Sequence, residues 1–356
     1  MIINDFGPRL IDWYHKNKRD LPWRESQLPY SVWLSEIILQ QTRVEQGERY
    51  FHHFKTNYPT IFDLADASEQ QVLNSWQGLG YYSRARNLHK TAKIIAYEMH
   101  GIFPSSAYGL KKLPGIGPYT SAAIASICFD EEIPVVDGNV FRFLTRHFGE
   151  HTPIDTPQGY KVIQQIAETL ISKNHPGNFN QAMMEFGALQ CVPVKPDCAA
   201  CIFHNSCGAL LNNEVDILPI KARKTKVKDV YYHYLAIEFE GSLLFKKRDK
   251  KGIWENMFDF PCAERESYSP FPEQLQFEEF KFLDSLEFEL SSKSFQTTHL
   301  LSHRRIHADF NLIKLNSDLF KIPSNWHWKN KKDLIHTPTP QLIVKFLTHI
   351  DKLEAL

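Results

Sequence analysis

Two carboxylates and four thiols in this sequence have the types and settings that chemistry uses. Glu36 sits inside the run Val32-Trp33-Leu34-Ser35-Glu36-Ile37-Ile38-Leu39. Its apolar members cover so much of a helix surface that the helix is expected to be largely buried. Buried carboxylates are rare unless they are paired or put to use. Desolvation raises the pKa of such an acid and holds a proton available near neutrality. The plainer alternative is a glutamate facing water from a polar edge shared with Arg43. Asp137, between Val136 and Gly138, is a carboxylate left sterically open by the glycine, although an ordinary Asp-Gly turn reads the same way.

Leu113-Pro114-Gly115-Ile116-Gly117-Pro118-Tyr119-Thr120 precedes Asp137 by about twenty residues and leads into the small-residue run Ser121 to Ala125. Two glycines around one apolar residue predict a tight hairpin, with Thr120 or Ser121 capping the helix that follows. Backbone N–H groups backed by a helix N-terminus make a cradle for a phosphate. Donors of that kind read no base edge, so they would hold nucleic acid without reading its sequence.

Cys191, Cys198, Cys201 and Cys207 form a C-x6-C-x2-C-x5-C array within 17 residues. A zinc ribbon normally shows two C-x2-C pairs across a longer span. One pair with unequal flanks suits a cubane iron–sulfur cluster better, with zinc as the alternative. A fully ligated array leaves no open coordination position, so a structural, DNA-facing role is expected. Cys128 and Cys262 stand apart and read as core residues.

A length of 356 residues suggests two domains, each able to bury a core. With 41 basic and 41 acidic side chains the net charge is zero, so any nucleic-acid site must come from local patches. No apolar run approaches membrane-spanning length and the N-terminus lacks a signal-peptide pattern, so a reducing cytoplasm is the expected compartment. An amphipathic first helix (Phe6, Leu10, Ile11, Trp13, Tyr14) precedes the loop Arg19-Asp20-Leu21-Pro22-Trp23-Arg24, and the helix bearing Glu36 is expected over 30–44. Gly78-Leu79-Gly80-Tyr81-Tyr82-Ser83-Arg84-Ala85-Arg86 reads as a turn exposing rings beside cations, able to wedge between bases, or as a plain helix-joining turn. Further helices are expected at 87–100, 140–147, 160–171 and 179–189. A cationic linker (Lys221, Arg223, Lys224, Lys226, Lys228) separates this helical part from strands at 230–239, 243–247 and 306–312 and a helix at 341–353.

Together, Glu36 within Trp33-Leu-Ser-Glu-Ile-Ile-Leu-Gln-Gln-Thr42, Gly78-Leu-Gly-Tyr-Tyr82, the hairpin 113–119, Asp137 and the four cysteines resemble the MutY family of adenine DNA glycosylases, within the helix-hairpin-helix superfamily. The resemblance is nearly continuous over 5–210 and weaker over 229–350, which looks like the family's Nudix-like domain. It implies a multidomain chain with an all-α glycosylase fold of two helical lobes over 1–211, its helix-hairpin-helix at 107–128 and a 4Fe-4S cluster loop at 191–207. A basic linker at 212–228 and an α+β Nudix-like domain over 229–356 would follow. The implied partner is double-stranded DNA carrying 8-oxoguanine:adenine or guanine:adenine mispairs. The chain would act as a cytoplasmic, nucleoid-associated monomer, with one 4Fe-4S cluster, no nucleotide cofactor and no membrane attachment.

By the same resemblance, Glu36 protonates adenine N7 and Asp137 stabilises the oxocarbenium-like sugar, with Tyr119 and Asn139 supporting the pair. Trp23, Arg24 and Gln181 match the adenine pocket. Gln41, Tyr81, Gly115, Gly117 and Tyr119 match DNA contacts, and Cys191, Cys198, Cys201 and Cys207 match the cluster ligands. Ser302 and His303 match the readers of 8-oxoguanine, in a loop that usually reads Phe-Ser-His and here carries Leu301, so discrimination against guanine is expected to be altered. The endonuclease III branch has a lysine where this chain has Tyr119, so base excision without strand cleavage is expected. A pyrimidine glycosylase/lyase and a non-catalytic cluster protein that senses damage are the rival readings.

Overall fold

The computed structural model describes residues 5–222, 227–249, 252–284, 286–301, 303–316, 325–330, 333–334 and 337–354, the side chains of 352–354 excepted. The chain divides into two compact units, Met1–Asp66 with Asn87–Lys224 and Ala67–Arg86 with Thr225–Leu356. This departs from the sequence boundaries, which assigned 67–86 to the helical domain. Asn256 Nδ2 donates to Glu69 Oε1 at 2.7 Å, and Arg86 pairs with the Glu255 carboxylate at 3.2 Å. The expected linker is also partly structured. Ile154 N–H donates to the Ile220 carbonyl at 3.0 Å, and Ala222 N–H donates to Asp155 Oδ1 at 2.8 Å. Arg223, Lys224 and Lys226 lie outside the described residues.

The first unit is helical: α1 (Phe6–Asn17), α2 (Pro29–Leu39), α3 (Val44–Asn57) and α4 (Ile61–Asp66), then α7 (Ala107–Leu110), α8 (Pro118–Phe129), α9 (Gly138–Phe148), α10 (Pro157–Leu170), α11 (Pro176–Leu189) and α12 (Gly208–Leu211). Between them, α5 (Glu69–Ser75) belongs to the second unit and α6 (Ser83–Lys93) continues into a π turn at Ile94–Glu98. The helix bearing Glu36 ends at Leu39, not near Val44, because Gln41 turns left-handed at φ 57°. Residues Thr120 to Ile127 of α8 are all buried, so this small-residue helix runs through the centre of its unit.

One core joins α1, α9, α10 and α11. Phe143 lies 4.4 Å from Phe186, Trp13 meets Phe186 edge-on at 4.8 Å, and Phe6 stacks on Phe203 at 4.7 Å between ring centres. Each such ring contributes roughly 1.5–3 kcal/mol by burial. His147 is enclosed among them and burial pushes its pKa down to about 4, so it behaves as one more neutral ring. On α11, a Cβ added at Gly187 would stand 2.6 Å from the Asn139 carbonyl oxygen, so α9 and α11 meet there main chain to main chain.

The second unit is built on β1 (Lys228–Phe239), β2 (Ser242–Lys247), β3 (Phe258–Asp259), β4 (Cys262–Arg265), β5 (Phe288–Leu300), β6 (Arg304–Leu315), β7 (Trp326–Asn330) and α13 (Gln341–Glu354). The sheet order is β3-β2-β1-β6-β5, with β4 on β1 and β7 on β2. Alternation along the parallel pair β1 and β6 sends Tyr234 and Phe310 to one face, stacked at 4.5 Å, where Phe346 of α13 covers Phe310 at 4.9 Å. Leu235, Ile237, Ile313 and Leu315 line the other face, beneath Phe280 and Leu283. β5 and β6 run antiparallel and are joined by residues 301–303, with Leu301 N–H donating to the Arg304 carbonyl at 2.8 Å. Among the described residues no helix is long and apolar enough to cross a membrane.

Candidate active site

Within the first unit, a cavity of about 570 Å³ opens between α2, α8, α11 and the loop that carries Trp23 and Arg24. Glu36, Tyr119, Asp137, Asn139, Gln181 and Glu185 all line it. Glu36 lines this space together with Val32, Ser35 and Leu39 of the same run, and is the one ionisable side chain among them. Burial raises its carboxyl to about pKa 7, helped by the nearby Asp137 charge and opposed by a hydrogen bond from Tyr119 and by Arg24. Near neutral pH about half of it therefore carries a proton. Tyr119 itself is held far above the usual phenol range by burial and by both carboxylates, so it stays a neutral donor. Its hydroxyl also lies 3.3 Å from Met184 Sδ.

Asp137 caps α9. Its Oδ1 accepts from Val140 N–H at 2.7 Å and its Oδ2 from Asn139 Nδ2 at 2.8 Å. Burial raises this carboxyl as well, but the hydrogen bonds from Val140 and Asn139 and the charge of Arg142 oppose that rise. The positive end of the helix dipole favours the same ionised form. The two carboxyls thus share a cavity with unlike settings: burial makes Glu36 readily protonated, while Asp137, also raised by burial, carries hydrogen bonds and a helix N-terminus that favour its ionised form. Asn139 is fixed in turn, because Arg142 Nη2 donates to its Oδ1 at 2.9 Å while Arg142 Nε donates to the Cys191 carbonyl at 2.8 Å.

The far wall is a charged cluster. Glu185 of α11 is almost fully buried and accepts from Arg19 N, Nε and Nη2 at 2.8, 3.0 and 2.7 Å, and from Arg24 Nη1 and Nη2 at 3.1 and 2.9 Å. Burial alone would raise its pKa, but these donors hold it down at about 2. Arg24 also lies over the Tyr14 ring at 5.6 Å, and the Tyr14 hydroxyl donates to Gln181 Oε1 at 3.0 Å, which turns the Gln181 amide one way round. Trp23 borders the cavity and meets Phe51 edge-on at 5.5 Å, a core anchor and a wall at once.

The hairpin lies between α7 and α8, close to the expected 107–128. Gly115 has φ 76° and a Cβ there would meet Asn87 at 2.7 Å, so only glycine fits. Gly117 has open space on its Cβ side, which leaves its backbone approachable. It is also the N-cap of α8; Thr120 and Ser121 are not caps but lie inside the helix, where Thr120 Oγ1 accepts from Gln40 Nε2 at 3.1 Å. Pro118 takes the first helical position, where its fixed φ is already helical and its missing N–H costs nothing.

The four cysteines line one small cavity beside Phe143, Arg146 and Phe186. Among the described residues no three His, Cys, Asp or Glu side chains already stand at metal-ligand spacing. An all-sulfur donor set nonetheless fits an iron–sulfur centre, and the surroundings supply N–H groups to the sulfurs. Phe203 N–H reaches Cys201 Sγ at 3.4 Å, and Arg146 Nη1 lies 3.7 Å from Cys191 Sγ. Burial pushes Cys201 up to about 11 and raises Cys198 and Cys207, so a bound cation would be needed to keep these thiols ionised.

In the second unit Tyr81 sits at a left-handed φ of 49° and is half exposed, with Arg84 over its ring at 5.7 Å and over Trp76 at 5.0 Å. Gln41, another expected DNA contact with left-handed backbone, borders the cavity of the first unit. His303 lies in the β5–β6 connection, where its carbonyl accepts from Lys228 N–H at 3.0 Å. Ser302 lies outside the described residues.

Residues 34–173 match the family described as HhH-GPD superfamily base excision DNA repair protein, and residues 233–349 match the NUDIX domain. Over 350 residues the chain is 34% identical to an adenine DNA glycosylase of Buchnera aphidicola subsp. Acyrthosiphon pisum, covering 98% of each chain. The chain belongs to the MutY family of adenine DNA glycosylases. An adenine DNA glycosylase of Homo sapiens is 41% identical over 219 residues, 58% of this chain and 40% of that one. A solved thermostable thymine-DNA glycosylase aligns at TM-score 0.55 and 26% identity over 59% of this chain and 97% of its own. An endonuclease III–DNA complex, at TM-score 0.50 and 19% identity over 59% of this chain and 96% of its own, shares the fold. As a family member this chain is a DNA-binding enzyme of base excision repair that releases adenine.

Of the side chains that the structure brings to this site, the sequence reading missed Glu185, Arg19, Tyr14 and Arg142. Glu185 carried a visible signal, a lone acid in Ala182-Met-Met-Glu-Phe-Gly-Ala-Leu189, the same interruption that singled out Glu36. Arg142 carried none, since its carbonyl partners at Gly187 and Cys191 come together only in the fold.

Proposed function

We propose that the enzyme excises adenine mispaired with 8-oxoguanine, and with guanine more weakly, by a dissociative cleavage of the N-glycosidic bond. The observation that carries this reading is the shared cavity in which a raised acid, Glu36, and a hydrogen-bonded carboxylate, Asp137, both face a space large enough for an extruded purine. Glu36 donates its proton to adenine N7, and the base departs neutral instead of as an anion. Asp137 stabilises the positive sugar that remains, through a transient covalent bond that water then breaks. Asn139 keeps the Asp137 carboxylate aimed, and Tyr119 holds the Glu36 carboxyl in place.

Gln181 and Trp23 hold the purine. Both terminal nitrogens of Arg24 are engaged by Glu185, so its main contribution there is charge. The hairpin at Gly115 and Gly117, with Gln41, grips the backbone of the flipped nucleotide, and Tyr81 fills the gap in the stack. Ser302 and His303 read the oxidised guanine. Cys191, Cys198, Cys201 and Cys207 hold one 4Fe-4S cluster, which braces the segment after α11; no chemical step runs through it. Tyr119 offers no amine for a Schiff base, so the strand is left uncut.

Single-turnover excision on 8-oxoguanine:adenine, guanine:adenine and thymine-glycol duplexes tests the proposal. The expected order of rates is as written. Glu36→Gln should still bind the mispair while releasing no adenine. Faster cleavage of the thymine-glycol duplex, or normal turnover by Glu36→Gln, would overturn it.

A further inference from the structure

We infer that Glu185 is a positioning residue which neutralises the arginine charge facing Glu36 and so keeps that carboxyl in its acid form for excision; this rests on Glu36 being the proton donor proposed above. Arg24 lies close enough to Glu36 to draw it toward ionisation. A cation beside an acid that must stay protonated works against the reaction. Yet the loop that carries Trp23 brings two cations, Arg19 and Arg24, to the same wall of the cavity. Glu185 answers both, taking five N–H donors from them while its carboxyl is 1% exposed. The cluster of Arg19, Arg24 and Glu185 then carries a net +1 instead of the +2 of two bare guanidiniums.

The other ionisable groups that meet Glu36 are Tyr119 and Cys128 of α8 and Asp137 at the start of α9. His15 and Lys18 border the cavity from the end of α1 and are solvent-exposed, so water screens them. Tyr119 and Cys128 are held neutral by burial, and Asp137 pushes Glu36 the same way as burial does. Besides the larger effect of the Tyr119 hydrogen bond, Arg24 is the charge that opposes the acid form, and Glu185, which binds both Arg24 and its neighbour Arg19, is what limits it. A merely mechanical role, pinning the loop to α11, would give the same contacts but a different pH signature.

The test is single-turnover adenine excision from an 8-oxoguanine:adenine duplex by the full-length protein, measured from about pH 5.5 to 9. The wild-type rate should fall as pH rises through the Glu36 titration. In Glu185→Gln the falling limb should move to lower pH by about half to one unit, so the pH 8 to pH 6 rate ratio drops about two- to fivefold. In Arg19→Gln, which removes a cation only partly buried, the limb should stay or move to higher pH. The double variant Glu185→Gln/Arg19→Gln restores the net +1 of the cluster and should return the limb to its wild-type position.

A limb that stays put in Glu185→Gln, or a double variant displaced further than the single one, overturns the inference and leaves Glu185 a mechanical tie. Should Glu185→Gln fail to fold, Arg19→Gln still decides, because a shift to lower pH contradicts the charge argument. If Glu36→Gln excises normally, the failure belongs to the proton-donor reading and not to Glu185.

Discussion

Arg142 Nε donates to the Cys191 carbonyl oxygen at 2.8 Å, so the first cysteine of the array is tied to the helix that Asp137 caps. The same guanidinium reaches Asn139 Oδ1 at 2.9 Å and the Gly187 carbonyl at 2.6 Å. Half-buried and multiply bonded, it joins the aim of the Asp137 carboxylate to the segment that would carry the cluster. Arg142→Gln should slow excision about ten- to a hundredfold and cost about 2–3 kcal/mol of stability, because the carbonyls it leaves lose their donor. Single-turnover kinetics beside a thermal melt check both, and an unchanged rate would detach the array from catalysis.

The raised pKa of Glu36 also has a cost in stability. Its carboxyl stands at about 7 in the folded chain against an ordinary value of 4.5, so the unfolded chain loses that proton first as pH rises. Stability contributed by the acid form is complete at low pH and declines through the window between those values. Glu36→Gln removes the ionisable group and should raise stability at pH 8 by about 2 kcal/mol, with little change at pH 4. Melting curves of both proteins at the two pH values report this directly, and a variant no more stable at pH 8 would refute it.

Arg146 is 3% exposed, and it donates Nε to the Leu218 carbonyl, Nη1 to that of Val192 and Nη2 to that of Pro193 at 2.9, 2.8 and 3.0 Å. One side chain therefore holds both the start of the cysteine loop and the strap that runs on to Lys221. Arg146→Met should lower the iron retained per chain and speed tryptic cleavage after Lys221 at least tenfold, since three buried carbonyls are left unanswered. Iron content and a digestion time course measure the two effects, and intact iron with unchanged cleavage would contradict the arrangement.

Leu301, just past the end of β5, donates its N–H to the Arg304 carbonyl as a hairpin residue and holds the position that the resemblance assigns to an aromatic. Restoring a ring with Leu301→Phe should widen the preference for 8-oxoguanine over guanine opposite adenine by about tenfold, through stacking on the base. Relative excision rates on the two duplexes give the ratio, and a ratio equal to wild type would remove position 301 from discrimination.

Much of the site could be read in the sequence because its members break local patterns. Glu36 interrupts an apolar run, Asp137 precedes a glycine at a helix start, and four cysteines crowd together. What could not be read depended on distant partners or on backbone choices that residue types do not announce. Gln41 adopts a left-handed conformation without being glycine, which ends its helix early. Gly117 takes the capping place for which Thr120 and Ser121 looked better suited, because Pro118 starts the helix three residues sooner than a cap at Thr120 would. The Ser/Thr-rich β5 has one largely exposed face and gave no clear alternation. The grouping of 67–86 with the C-terminal unit rests on pairs such as Glu69 with Asn256, which lie 187 residues apart.

The bare contact at Gly187 has a meaning for how this cavity can change over generations. Peptide groups touching peptide groups form the least compressible spacing a protein has, and here that spacing sets the gap between the row bearing Gln181 and Glu185 and the turn bearing Asp137. Aliphatic drift in the surrounding core can repack without widening or narrowing this aperture. The lining of the cavity is thus open to revision one side chain at a time along α11, while its width stays constant.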